Sequence, residues 1–375
     1  MSYKYIHIFW QNDFKFNPSV VKMIIDPNNG LNPDEHLFVT PHKEVYTEIN
    51  NIAESKSSNN EQIHFELYEA GDTKDARIVN YYATFGDWLI VHSMPPPHKA
   101  IFIKNKYCSK IVWRTWGHDI GYYYRKETPI KNLVKYIIGQ IWKYKVKKFH
   151  AIGRSNIVDE LNIRERFGDV KTFRMPYQFT SIIDIIDAEQ KEKITLDGTI
   201  NIMVGHFGRA ADNHIQMMKR LEHLKNDDIH LYFILSYGDS EYIKDVKNYI
   251  SKGWHHKSTI VTNFLPRNEY VNFLNQMDVI ILDGPRSYAL GNINLLIYLR
   301  KKLFVNRNGI IRKAFDLTGI PYCLTDELEN MTYDELKEPL IYPEIIESSF
   351  LPRNREANIE SWKNILNTLD SQSNE

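Results

Sequence analysis

The stretch KIVWRTWGHDIGYYYRK, residues 110–126, closes an apolar run on Gly117, His118 and Asp119, so two proton-moving side chains follow directly on a glycine. A carboxylate at a strand end can take the proton of an attacking hydroxyl, and a positioned base contributes about two to four powers of ten in rate. Asp119 is therefore the candidate base. His92, which closes the neighbouring run WLIVHS, is the alternative base or the group that orients Asp119. Plainer roles are open to both: a turn aspartate that bonds its own backbone, and a buried histidine satisfied by its neighbours.

The second half carries residues suited to an anion. INIMVGHFGRAADNH is an apolar run ending at Gly205, a turn with Gly208 and Arg209, and a helix opened by Asp212 or Asn213. Unpaired amides at a helix start, approached over glycine, bind phosphate groups. FILSYGDSEY repeats the arrangement with Ser236, Tyr237 and Gly238, and DVIILDGPRSYALGNINLLIY adds Arg286, Ser287, Tyr288, Gly291 and Asn292. Arginine offers a planar fork to phosphate oxygens, so a diphosphate held by Arg209, Arg286 and the amides after Gly205 is the expectation. Turn formation alone would account equally for Gly205 and Gly208. Neither the dinucleotide-binding nor the P-loop glycine pattern is present.

Such residues need a scaffold, and the chain alternates accordingly. Short β-rich runs (YIHIFW, HLFVT, IHFELY, WLIVHS, KIVWRTW, KFHAIG) are separated by segments of helical spacing such as NPSVVKMIID, DARIVNYYATFG and PIKNLVKYIIGQIWKYKVKK. TINIMVG, IHLYFILS, STIVTN, DVIILDG and KLFVN repeat the rhythm. The alternation predicts parallel sheets with helices on both faces. At 375 residues the chain exceeds what one core usually serves. The expectation is a doubly wound, Rossmann-like α/β domain over 1–185, a polar linker over 186–198, a second such domain over 199–350, and a C-terminal helix over 351–375 packing back towards the first. Open parallel sheets bind ligands at strand carboxyl ends, which would place the candidate residues about a central cleft.

Composition narrows the partners. With 47 basic and 47 acidic side chains the net charge is +0, so nucleic acid is not an expected partner. Cys108 and Cys323 lack a CxxC spacing, which suits a reducing cytoplasm. The opening MSYKYIHIFWQND reads as neither signal peptide nor anchor. Residues 122–148 are a different matter: Arg125, Lys126, Lys131, Lys135, Lys143, Lys145, Lys147 and Lys148 face one acid, Glu127, and interleave with Tyr122, Tyr123, Tyr124, Tyr136, Trp142 and Tyr144. Lysines with interfacial aromatics suit an anionic membrane surface. A solvated helix face, with Ile137, Ile138 and Ile141 packed on the sheet, is the plainer reading.

VWRTWGHD, the VGxxGxxxxxH run (Val204, Gly205, Gly208, His214), LSYG, the Arg286 loop, LGNINLLIY and FVNR together resemble glycosyltransferase family 56, the TDP-N-acetylfucosamine:lipid II N-acetylfucosaminyltransferases, over most of the chain from WLIVHS to about Asn306. The resemblance implies a GT-B fold without cofactor, the first domain taking a lipid-linked (undecaprenyl) saccharide and the second a TDP- or UDP-sugar, on the inner face of the plasma membrane. Trp116, Gly117 and Asp119 match the family pattern on the acceptor side. His118 stands where that pattern has alanine, and Ser93 where it has a glycine after the equivalent of His92. The family has polar residues at the positions of His206 and Phe207.

No two aspartates have the Asp-x-Asp spacing of metal-dependent transferases, so a metal-independent reaction is expected. No two glutamates seven apart occur in the second domain, which favours inversion. A GT-B epimerase, a polyol-phosphate transferase or a noncatalytic nucleotide-sugar-binding module would use the same cleft. A single-stranded nucleic-acid binder could use the basic aromatic helix, against which the neutral charge argues.

Overall fold

The computed structural model describes residues 3–10, 17–56, 64–67, 76–117, 119–120, 129–177, 198–285, 290–342 and 355–373. Two compact units make it up: residues 1–181 with 353–375, and residues 182–352. Apart from Gly198, the segment read as a linker lies outside the described residues.

The first unit is a parallel sheet of β1 (Tyr3–Phe9), β2 (His36–Thr40), β3 (His64–Leu67), β4 (Gly86–His92), β5 (Ile111–Arg114), β6 (Ala151–Arg154) and β7 (Thr172–Arg174), in the order β3-β2-β1-β4-β5-β6-β7. Its helices are α1 (Asn17–Ile25), α2 (Lys43–Lys56), α3 (Ala76–Tyr82), α4 (Pro97–Ala100), α5 (Asn105–Cys108), α6 (Pro129–Val146) and α7 (Ile157–Phe167). The central strands are apolar on both faces, so each face needs a cover. One core gathers Trp113, Trp142 and Phe167. The other gathers Phe9, Phe38 and Trp88 with Trp362, Ile365 and Leu369 of the C-terminal helix, Arg355–Ser373. That helix is fastened by Trp362 Nε1 to Pro176 O at 2.7 Å, Tyr5 Oη to Leu366 O at 3.0 Å and Trp88 Nε1 to Leu369 O at 3.1 Å.

The second unit repeats the plan with β8 (Ile200–Val204), β9 (Ile229–Ile234), β10 (Ser258–Val261), β11 (Val279–Leu282), β12 (Lys302–Val305) and β13 (Cys323–Leu324), all parallel in the order β10-β9-β8-β11-β12-β13. Its helices are α8 (His214–Arg220), α9 (Ser240–Gly253), α10 (Arg267–Asn275), α11 (Leu290–Tyr298), α12 (Ile310–Thr318) and α13 (Tyr333–Lys337). In each sheet the strand order reverses once, between β1 and β4 and between β8 and β11. The crevice at such a reversal is where open α/β sheets take ligands.

Candidate functional site

At the reversal point of the first sheet β4 ends in His92. The next residue, Ser93, is fully buried with φ 69° and gives its N–H to Arg114 O at 2.8 Å. That left-handed conformation is glycine's by preference. β5 ends in Arg114, and the chain turns through Gly117 at φ 78° to bring Asp119 back under the loop. Asp119 is 2% exposed; its Oδ2 accepts from Met94 N at 3.1 Å and Trp113 Nε1 at 2.9 Å, and its Oδ1 from Trp116 N at 2.8 Å. The carboxylate thus ties the loops after β4 and β5 together. In this arrangement it is enclosed and committed to three donors. His118 lies outside the described residues.

His92 does not orient Asp119. Its Nδ1 is 2.7 Å from Tyr177 Oη and its Nε2 3.1 Å from His7 Nδ1, while His7 Nε2 is 3.0 Å from His36 Nδ1. Trp116 Nε1 donates to the same Tyr177 oxygen at 2.8 Å. An indole N–H can only donate, so a one-way file from Trp116 through Tyr177, His92 and His7 to His36 satisfies these groups with three neutral imidazoles. Burial holds His7 and His92 well below the usual imidazole range, helped by neighbouring imidazoles at His7 and by the Arg114 charge at His92. Burial also lowers His36 to about 3, against the pull of Asp370.

Beneath Tyr177 lies the guanidinium of Arg114, 1% exposed and 4.0 Å from the ring centroid. It donates to Met175 O, Thr115 O and Ser155 Oγ. Burial pulls it below its ordinary range, opposed by Tyr177, Asp159 and Asp119, and burial likewise raises Asp159 against the attraction of Arg114. The ends of β4 and β5 therefore form a polar, hydrogen-bonded layer around the buried Arg114 cation. Tyr177, His7 and His36 were not among the sequence candidates. Histidines inside the apolar runs YIHIFW and HLFVT are the signal that could have found two of them, because buried imidazoles need partners.

In the second unit the backbone after Gly205 differs from the expectation of free amides. Gly205 N donates to Ile281 O at 2.9 Å, His206 N and Phe207 N to Asp212 Oδ2 at 2.8 and 3.2 Å, Gly208 N to Tyr237 O and Arg209 N to Phe207 O, each at 2.9 Å. Asp212 is the group that the His206 and Phe207 amides already hold, and His206 Nδ1 adds a contact to it at 3.0 Å. Asn213, not Asp212, precedes α8, with φ 50° and its Nδ2 on Asp283 Oδ2 at 2.7 Å rather than on the helix.

The glycines serve contacts between loops. A Cβ on Gly205 would run into His214 Nε2 and Asp212 Oδ2, and one on Gly238 (φ 142°) into the backbone of Gly208, with which Gly238 forms a parallel bridge. What remains open to a ligand at these strand ends is side chain. Tyr237 is 52% exposed and stacks on Phe207 at 5.8 Å; Arg209 is exposed with its guanidinium 5.3 Å from the Phe207 ring. Ser236 is half-buried beside them. Gly291 and Asn292 lie in the first turn of α11, where Asn292 bonds Tyr270, whose phenol burial pushes up in pKa. Arg286, Ser287 and Tyr288 lie outside the described residues. Among the described residues no group of three or more His, Cys, Asp or Glu is placed to hold a metal.

Similarity to known proteins agrees with this architecture. A glycosyltransferase from Rickettsia africae superposes with a TM-score of 0.57 at 12% identity, covering 98% of this chain and 96% of that one. Anabaena HepE, solved with UDP and glucose, gives 0.54 at 12% identity over 98% and 100%. A putative UDP-N-acetylglucosamine 2-epimerase from Listeria monocytogenes gives 0.50 at 10% identity over 99% and 98%. At such identities these likenesses establish the GT-B-type fold alone. No curated protein matches the chain. The sequence model of the 4-alpha-L-fucosyltransferases, glycosyl transferase group 56, does match, over residues 78–370. The chain therefore belongs to glycosyl transferase group 56, a family of glycosyltransferases whose match here spans strands and helices of both units.

Proposed function

We propose that this transferase moves a deoxy or N-acetyl amino sugar from a TDP- or UDP-sugar to a lipid-linked (undecaprenyl) saccharide, at the inner face of the plasma membrane and without a metal. The first unit takes the acceptor, with Trp116, Gly117 and His118 shaping its loop and Asp119 and His92 positioning that loop. The second takes the donor: Tyr237, with Ser236 and Gly238, meets the nucleoside, while Arg209, Arg286, Ser287, Tyr288 and the first turn of α11 at Gly291 and Asn292 meet the diphosphate. Fixed cationic and amide donors at a departing diphosphate are worth about 3 kcal/mol each in transition-state stabilisation.

The observation that carries the lipid-linked acceptor is α6. It holds no acid, and Leu133, Val134, Ile137, Ile141 and Tyr144, 41 to 60% exposed, fall within an arc of about 100° opposite the buried Trp142 and Val146. Ile137 and Ile141 thus face away from the sheet. Trp142 and Lys145, read from the sequence as surface residues, are 1% and 8% exposed and belong to the interior. A water-soluble acceptor gives no reason for an apolar stripe on a basic helix, whereas a substrate embedded in an anionic bilayer does.

The test is a reconstituted reaction: purified protein, a TDP- or UDP-sugar and an undecaprenyl-diphosphate saccharide, with EDTA present, followed by mass spectrometry of the lipid. One added sugar residue is the expected product. Donor binding without turnover would point to a binding module, epimerised donor to an epimerase and a phosphate-bearing product to polyol-phosphate transfer. A strict need for Mg²⁺ or Mn²⁺ would remove the metal-free part.

A further inference from the structure

Beside α6 stands a feature that the reading above leaves unused: Phe102, 70% exposed in the turn between α4 and α5. A lone exposed phenylalanine is ordinary, but this one sits on a turn clamped from two sides. From α3, Asn80 Nδ2 donates to Phe102 O at 3.1 Å while Lys104 N donates to Asn80 Oδ1 at 2.7 Å. From α6, Lys145 Nζ donates to Ile103 O at 2.6 Å and to Asn105 Oδ1 at 2.8 Å. Lys145 follows Ile141 by one helical turn, so the clamp seats the turn along the edge of the exposed stripe.

Charge agrees with the placement. Residues 97–108, PHKAIFIKNKYC, contain no acid; Lys104 and Lys106 are exposed, as are Lys147 and Lys148 just past the end of α6. Lys148 Nζ lies 4.3 Å from the centroid of Tyr144, and Lys106 Nζ 4.8 Å from that of Tyr107, so the cations sit over aromatic rings. We infer that the α4–α5 turn and α6 form one docking surface for an anionic bilayer, with Phe102 inserting as a second anchor beside the stripe. The inference rests on the membrane reading above and deepens it. Two anchors fix how the first unit lies on the membrane where one helix would leave it free to roll, and a turn already held by four hydrogen bonds loses little further freedom on insertion.

Flotation of the full chain with vesicles of phosphatidylcholine, with and without phosphatidylglycerol, tests it against Phe102→Ser, Ile137→Ser and the pair Lys104→Glu with Lys106→Glu. Phe102→Ser is expected to lower partition about tenfold with an unchanged melting curve, since the side chain is exposed. The charge pair should lower it about fivefold per lysine on phosphatidylglycerol vesicles and leave neutral vesicles unaffected. In Phe102→Trp, which reports position directly, the emission should shift to the blue when anionic vesicles are added. If Ile137→Ser loses binding while Phe102→Ser binds like wild type and the Phe102→Trp emission stays put, the second anchor is refuted and the membrane reading survives. If wild type floats with neither vesicle, both fall. A wild-type dimer broken by Phe102→Ser would assign the face to a second copy of the chain and overturn the inference.

Discussion

Asp119→Asn separates fastening from proton transfer. The native carboxylate takes three N–H donors on two oxygens. An amide of the same shape keeps only one oxygen. Turned to serve Met94 N and Trp113 Nε1, it points its own NH₂ at the Trp116 N–H; turned the other way, it forfeits two bonds. The cheaper orientation leaves one buried donor unmet, about 1–3 kcal/mol, and makes two charge-assisted bonds neutral at about 0.5–1 kcal/mol each. The sum is about 2–5 kcal/mol, a large share of what holds a domain folded. Urea denaturation of the variant should show the first unit's unfolding free energy fall by that amount, as a lower midpoint at unchanged slope, and turnover on the same preparation should fall mainly through a weakened KM for the acceptor. A variant as stable as wild type whose kcat drops by two to four powers of ten would refute the reasoning and make Asp119 the base.

Acid should act through the imidazole file. His36 titrates near 3 when folded and near 6.5 when unfolded, so the unfolded chain binds the extra proton between those values and stability falls as pH drops below about 6.5. From pH 7 to 5 His36 alone should cost about 2 kcal/mol, and His7 and His92 should add in the same sense; urea midpoints that do not move over this range would contradict the buried, neutral file. Ser93→Gly should raise stability by about 1 kcal/mol by relieving the left-handed backbone, and a lower melting temperature would show that the serine hydroxyl outweighs the strain. Gly238→Ala should destabilise the second unit by about 3 kcal/mol or more, because its Cβ would overlap the Gly208 backbone; a near-neutral melt would mean that the two loops are not joined as described.

The doubly wound architecture was legible because parallel strands covered on both faces read as continuous apolar runs. Each run from YIHIFW to KFHAIG, and each from TINIMVG to KLFVN, contains one strand of the sheets. β7 and β13, of three and two residues, were not read from the sequence, being too short to show any periodicity. The family was legible from short motifs in the right order. Side-chain partnerships were not, since they depend on which segments meet. Asp119 looked like an open carboxylate until Met94, twenty-five positions away, was seen to bond it. Gly205, Gly208 and Gly238 looked like approaches for a ligand until the atoms crowding them proved to belong to His214 of α8, Ile243 of α9 and the backbone of Gly208. The amides after Gly205 looked free because nothing local reveals that Asp212 turns back on them.

The claim on which the account depends is that the second unit holds a nucleotide sugar. A thermal-denaturation series with TDP, UDP, their sugars, ATP and NAD tests it most directly, because a ligand at one hundred times its dissociation constant stabilises a fold by about 2.7 kcal/mol. TDP or UDP and the corresponding sugars should raise the melting temperature while ATP and NAD leave it unchanged. A shift with ATP or NAD, or none with any pyrimidine diphosphate, would contradict nucleotide-sugar transfer.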